Sequence, residues 1–251
     1  MKTRILITFA ALLLVCACAL ADTAPVYWDV PPAAIATQAE GELEMYDLTF
    51  PEEMPLVARN FVLTARAEFE KHPFEKLSKA NDYTKWYYQD KREIGWCSVF
   101  QLYCAYHSGV QLIKYKQGVT VEPDEVISAM EGRVGNVYLA FEEQGRWLDG
   151  TQEAVPKPGY LVIYGVRSST PYTHIAIVES VFEIGDGLYE LTTIEGNINS
   201  SVRRMNYRYD ATPKKRYYNM FAIPEEGITR ENCQYKLQNQ NWYITGFCAT
   251  W

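Results

Sequence analysis

Thr173-His174-Ile175-Ala176-Ile177-Val178-Glu179-Ser180-Val181-Phe182, the turn Gly185-Asp186-Gly187, and the run Leu188 to Ile194 follow one another in the second half of the chain. Two β-rich runs joined by a short glycine-containing turn predict an antiparallel hairpin. Similar runs at Tyr160 to Val166, Arg203 to Tyr209 and Tyr218 to Ile223 predict further strands. Before Gly159 the period is different. Leu56, Val57, Phe61, Val62, Ala65 and Phe69 recur at helical spacing with charged residues between them, so a helix is expected from Pro55. A second should begin at or near Cys97 and stop at His107-Ser108-Gly109. Pro123-Asp124-Glu125 has the proline and acids of a helical first turn and predicts a third, and Val137 to Glu143 a fourth. Helices first and strands later make an α+β fold, with N-terminal helices packed on an antiparallel sheet.

The chain opens Met1-Lys2-Thr3-Arg4 and runs through an apolar stretch to Ala19-Leu20-Ala21. Basic residues before the stretch, its short length and a small-x-small end predict a signal peptide at 1–21, and hence a secreted or periplasmic protein. Lipidation at Cys18 is the weaker alternative, because Val15-Cys16-Ala17-Cys18 fits a lipoprotein box poorly. The remaining 230 residues suffice for one domain with a real core. Residues 22–54, rich in proline and acids, predict an extended arm, 55–224 the domain, and 225–251 a C-terminal extension. The formal net charge of −7 argues against nucleic acid or anionic membrane as the main partner. One basic cluster, Arg203, Arg204, Arg208, Lys214, Lys215 and Arg216, with Asp210 among it, suits either a solvated strand and turn or a rim receiving a substrate carboxylate.

Four cysteines follow the leader. Cys233 and Cys248 bracket a short segment and are expected to close it by a disulfide, whereas Cys97 and Cys104 stand two helical turns apart, too far to bond. No cysteine pair has metal-binding spacing and the three histidines are scattered, so no metal or other cofactor is expected. Cys97 at a helix N-terminus is placed for a lowered thiol pKa. His174 opens an apolar strand, at the sheet end where a site can form. An imidazole base needs an acceptor on its other nitrogen. Ile194-Glu195-Gly196-Asn197 ends the paired strand and offers Glu195 and Asn197 on one face, both within reach of His174 across the hairpin. Cys104 is expected to be a buried small residue, and His72 and His107 surface or capping residues. Trp86, Tyr87, Trp96 and Tyr172 are candidates to line a substrate groove.

Gly95-Trp96-Cys97-Ser98-Val99-Phe100, Pro156-Lys157-Pro158-Gly159, Thr173 to Glu179 and Ile194-Glu195-Gly196-Asn197, in that order, resemble the cysteine, histidine-dependent amidohydrolase/peptidase (CHAP) domains. Asn81 to Tyr87 and Val202-Arg203-Arg204 extend the resemblance, which covers roughly residues 55 to 224. It departs at Tyr160, where the family usually has Asp after the Pro-x-Pro-Gly turn. The resemblance implies a papain-like fold hydrolysing an amide bond of peptidoglycan, with Cys97 as nucleophile, His174 as base and Glu195 or Asn197 orienting it. The expected partner is peptidoglycan or its peptide fragments, met by a monomer. Two alternatives stand beside it: a cysteine hydrolase of some other amide, and a secreted binding module that keeps the fold without turnover.

Overall fold

A computed structural model describes residues 50–72, 75–89, 95–166, 170–212, 214, 219–222 and 242–251. The expected leader, the arm up to residue 49 and Cys233 lie outside these residues.

Helix α1 (Leu56–Lys71) turns Ala58, Phe61, Val62, Ala65 and Phe69 into the core, the three- and four-residue spacing read from the sequence. It starts after Pro55, and Arg59 fastens the preceding turn by donating to the carbonyls of Pro51, Glu52 and Met54 at 2.9–3.3 Å. The end of the expected arm is therefore docked, with Met54 buried. His72 closes the helix, its backbone N–H bonded to the Phe69 carbonyl and its ring to Glu75. Helix α2 (Asp82–Tyr88) is capped by Asn81, whose side chain accepts the Thr84 amide at 3.1 Å. Helices α3 (Cys97–His107) and α4 (Val134–Glu143) fall close to where periodicity placed them.

The third expected helix is absent. Pro123 and Asp124 form a turn in which the Glu122 amide donates to the Glu125 carboxylate, and the chain continues as β2 (Ile127–Ala129), parallel to β1 (Gln111–Ile113). Proline and acids suit a turn as well as a helix start, and the fully buried Ile127-Ser128-Ala129 favours a strand.

The main sheet contains β3 (Trp147–Asp149), β4 (Leu161–Gly165), β5 (His174–Gly185), β6 (Leu188–Ile198), β7 (Ser201–Asp210), β8 (Met220–Ala222) and β9 (Tyr243–Cys248). Their order is β3-β9-β4-β5-β6-β7-β8, and every pairing is antiparallel. The hairpin β5–β6 forms as expected around Gly185-Asp186-Gly187. Of the expected C-terminal extension, residues 242–251 are described, and they join the domain's sheet. β9 is buried along its length between β3 and β4, and carries the buried Cys248, a free thiol among the described residues; the expected disulfide to Cys233 lies outside them.

One face of the sheet, with Leu161, Ile163, Ile175, Ile177, Ile194 and Val202, packs under α1 and α3, while the other gathers Val162, Tyr164, Ala176, Leu191, Tyr207 and Phe247. Glu179 on β5 is buried and gripped by Nε and Nη2 of the Arg204 guanidinium on β7 at 2.6 and 2.7 Å, with Arg66 of α1 at 3.3 Å. Arg208 pairs with Glu190 at 2.9 Å. Two arginines of the basic cluster are thus answered by carboxylates from neighbouring strands, which overturns, for them, the idea of a free cationic rim.

Candidate active site

Cys97 is the first residue of α3, and Trp96 before it provides no side-chain cap. The helix thus begins with no cap from the residue before it and with its positive dipole end against the thiol. His174 begins β5, across from Tyr164 in the β4–β5 register. What brings helix and strand end together is Gly196 on β6. A Cβ there would lie 2.4 Å from Cβ of Phe100 and 3.0 Å from the Trp96 ring, so only glycine lets β6 approach α3 this closely.

The half-buried Cys97 thiol is hydrogen-bonded to His174 and to the backbone amides of Ser98 and Ile175. On the far side of the ring, His174 Nε2 lies 2.8 Å from Glu195 Oε2, which leaves Nδ1 for the sulfur. Burial works against a charged thiol, but the His174 hydrogen bond and charge, with the two amides, prevail and hold Cys97 below its ordinary pKa. Burial likewise pulls the imidazole down, and its bonds and charge interactions with Cys97 and Glu195 overcome this and raise it to about 10. The arrangement is that of a thiolate–imidazolium pair.

Of the two expected acceptors, Glu195 takes the bond to His174. Asn197, in left-handed backbone conformation at φ 66°, lies instead beside Gly95, its Nδ2 3.7 Å from where a Cβ would stand there. Glu195 has no exposed surface and its Oε1 accepts three hydroxyls, from Thr193 at 2.6 Å, Tyr207 at 3.0 Å and Tyr164 at 3.2 Å. The Trp242 ring stands 5.7 Å from the His174 ring and 6.0 Å from that of Tyr164.

The family model of the CHAP domain matches residues 83–197, from inside α2 to the Asn of the Glu-Gly-Asn segment. Residues 83–197 are thus matched as a CHAP domain. A CHAP domain belongs with the cysteine- and histidine-dependent amidohydrolases and peptidases, and the α+β architecture agrees with it. A solved structure described as "The crystal structure of Ly7917" is 16% identical, with a TM-score of 0.32 over 76% of this chain and 99% of that one. No curated protein matches the chain.

The aromatic residues expected around this CHAP site divide three ways. Trp96 is wholly buried, stacked on Tyr83 at 5.5 Å and edge-on to Phe100, so it supports α3 from within and lines no groove. Trp86 packs on Tyr103, Tyr106 and His107 at the opposite end of α3, two to three turns from the thiol. The same packing makes His107 part of an aromatic cluster instead of a cap. Tyr172 lies two residues before His174 in the chain. It stacks on Tyr138 of α4 at 4.3 Å, and Tyr138 meets Trp147 edge-on at 4.9 Å; all three are half-exposed. Tyr87 and Tyr88 abut Gly132, in a loop whose Glu131 carbonyl accepts the Ser98 hydroxyl at 2.7 Å.

Sequence reasoning missed Thr193, Tyr164, Tyr207 and Trp242. Thr193 was visible in principle, sharing a strand face with Glu195 two residues on. Tyr164 and Tyr207 become neighbours only through the pairing of β4 with β5 and of β6 with β7. Among the described residues no group of three His, Cys, Asp or Glu side chains is placed to hold a metal ion.

Proposed function

We propose that this protein is an exported cysteine hydrolase that cleaves an amide bond of peptidoglycan through a thioester on Cys97. The observation that carries the proposal is the chain of hydrogen bonds from the Cys97 thiol through His174 to the buried Glu195 carboxylate. The CHAP match supports the substrate class, and the Tyr172–Tyr138–Trp147 group, which begins two residues before His174 in the chain, supports it further by offering half-exposed flat apolar faces to a sugar ring or peptide.

In the first half-reaction the Cys97 thiolate attacks the carbonyl carbon and forms the S–C bond, pushing charge onto the carbonyl oxygen. The uncapped start of α3 provides the amide donor for that charge, as an oxyanion site requires. The His174 proton passes to the amide nitrogen, the C–N bond breaks and the amine leaves. In the second half, His174 takes a proton from water, the hydroxide oxygen adds to the thioester, and the thiolate departs from the new carboxylic acid.

Digestion of purified peptidoglycan by residues 22–251, beside a Cys97→Ala control, tests this. Soluble fragments released by the wild type and absent from the control are expected, and mass spectrometry of their new termini names the bond. Release of none by folded wild type would remove peptidoglycan as substrate.

A further inference from the structure

Two carboxylates are buried in this sheet, and they are held in opposite ways. Glu179 is met by the guanidinium groups of Arg204 and Arg66, so its charge is cancelled where it stands. Glu195, with no exposed surface, meets neutral hydroxyls on Oε1 and the imidazole on Oε2. Neutral donors replace the lost water without cancelling the charge, so the field of the carboxylate remains available to whatever touches its second oxygen. The three hydroxyls are buried and come from three strands, Tyr164 on β4, Thr193 on β6 and Tyr207 on β7. Together they occupy Oε1, leaving Oε2 to the imidazole, and movement of any one strand would leave a buried donor unpaired.

We propose that Tyr164, Tyr207 and Thr193 are positioning residues, whose hydroxyls hold the Glu195 carboxylate fixed and aimed at His174 Nε2 and so set how much of Cys97 stands as thiolate. This rests on the assignment of Cys97 as the reactive thiol. The titratable and charged groups around the pair are Cys97 from α3, Tyr164 from β4, Tyr207 from β7 and Arg203, which faces Glu195 in the β6–β7 register. Tyr164 is itself pushed well above the ordinary tyrosine range by burial and by the Glu195 charge, so it remains a donor through the working range. Trp242 beside His174 and Tyr164 limits the access of water to them.

The test is the pH dependence of iodoacetamide alkylation of Cys97 in the full-length protein, which needs no substrate and so stands apart from any failure to digest peptidoglycan. Four variants are compared with the wild type: Tyr207→Phe, Tyr164→Phe with Tyr207→Phe, Thr193→Val and Glu195→Gln. Glu195→Gln should move the acid limb up most. The double phenylalanine variant should move it by roughly one pH unit, about tenfold in thiolate on that limb, and Tyr207→Phe and Thr193→Val each by less. Superposition of the Thr193→Val and double-variant limbs on the wild type would overturn the proposal, as would an unmoved limb in Glu195→Gln. Thr193→Val, nearly isosteric, decides the matter by itself if the double variant does not fold, with circular dichroism as the check on folding.

Discussion

Cys97 and Cys104 lie seven residues apart on one helix, and their surroundings drive the two thiols in opposite directions. Cys104 has no exposed surface; burial, and behind it the negative charge of Glu68, raises its pKa well above the ordinary value. Cys97 is partly sequestered too, but a cationic imidazole and two amides outweigh the loss of water, and its pKa falls. The helix is common to both, so what separates them is position along it. Cys97 stands at the end where amides point outward and β5 and β6 deliver their polar ends, whereas Cys104 sits two turns on, where the chain's own carbonyls and apolar neighbours surround it. Thiol chemistry in this fold is a property of the helix terminus and the strand ends facing it.

Replacing each thiol in turn should break the comparison most sharply. Cys97→Ala is expected to lower amide hydrolysis by about 10⁴-fold or more, while Cys104→Ala leaves it within about twofold, both measured as initial rates on the fragments released from peptidoglycan. Comparable losses in both would mean that Cys104 takes part in the chemistry.

Next comes the imidazole. His174→Gln should cost about 10²- to 10⁴-fold in hydrolysis and return Cys97 to an ordinary thiol, seen as loss of the thiolate ultraviolet absorbance at neutral pH. An undiminished thiolate band in that variant would show that the helix terminus alone does the work.

The pH dependence separates the pair in a third way. Alkylation of Cys97 should rise through its lowered pKa and level off before His174 deprotonates at about 10, with Cys104 and Cys248 reacting only on unfolding. For stability the signs are opposite. Cys104 and Cys248 have raised pKa values in the folded state, so above about pH 8.5 the unfolded chain releases protons that the folded chain keeps. Stability is then lost at up to about 1.4 kcal/mol per pH unit for each buried thiol. His174 adds a loss of the same sign as pH rises from about 6.5 towards its folded value, while the contribution of Cys97 is present at high pH and lost as pH falls through its depressed pKa. Urea midpoints at pH 7.5 and 9.5 should therefore differ, and Cys104→Ala should shrink the difference; an unchanged difference would clear Cys104 of the alkaline loss.

The smallest effect concerns packing. Gly196→Ala places a methyl group against Phe100 and Trp96 and should cost about 1–3 kcal/mol, with alkylation of Cys97 slowed because α3 is pushed away from β6. Denaturant melts and alkylation rates on the same samples check whether the two losses travel together.

Much of the site could be read from the chain. Cys97 announced itself by opening a helical pattern and His174 by opening an apolar strand, and the hairpin turn at Gly185-Asp186-Gly187 was enough to put His174 and the Glu195 segment side by side. The choice between Glu195 and Asn197 was not legible, because it depends on the register break after Glu195 and the left-handed backbone at Asn197, which turn on the approach of α3. Aromatic residues misled for a related reason. Trp86, Trp96 and Tyr172 are close to the site in sequence, yet one is core, one packs at the far end of the helix and one stacks on Tyr138 of α4. Sequence distance to a motif does not tell which side of a helix a ring occupies once other elements cover it.

By itself, the sequence determined the α+β class, the helix that opens with Cys97, the strand that opens with His174 and the hairpin that sets His174 beside Glu195. Each of these is written in periods of a few residues and in turn chemistry, which are local. The tertiary structure alone decided that β9, from the end of the chain, enters the sheet between β3 and β4. It also decided that Tyr164 and Tyr207, 43 residues apart in the chain, meet on one oxygen of Glu195, and that two thiols on one helix acquire opposite acidity. These depend on which strands pair and what is excluded with water between them, and no local pattern encodes that.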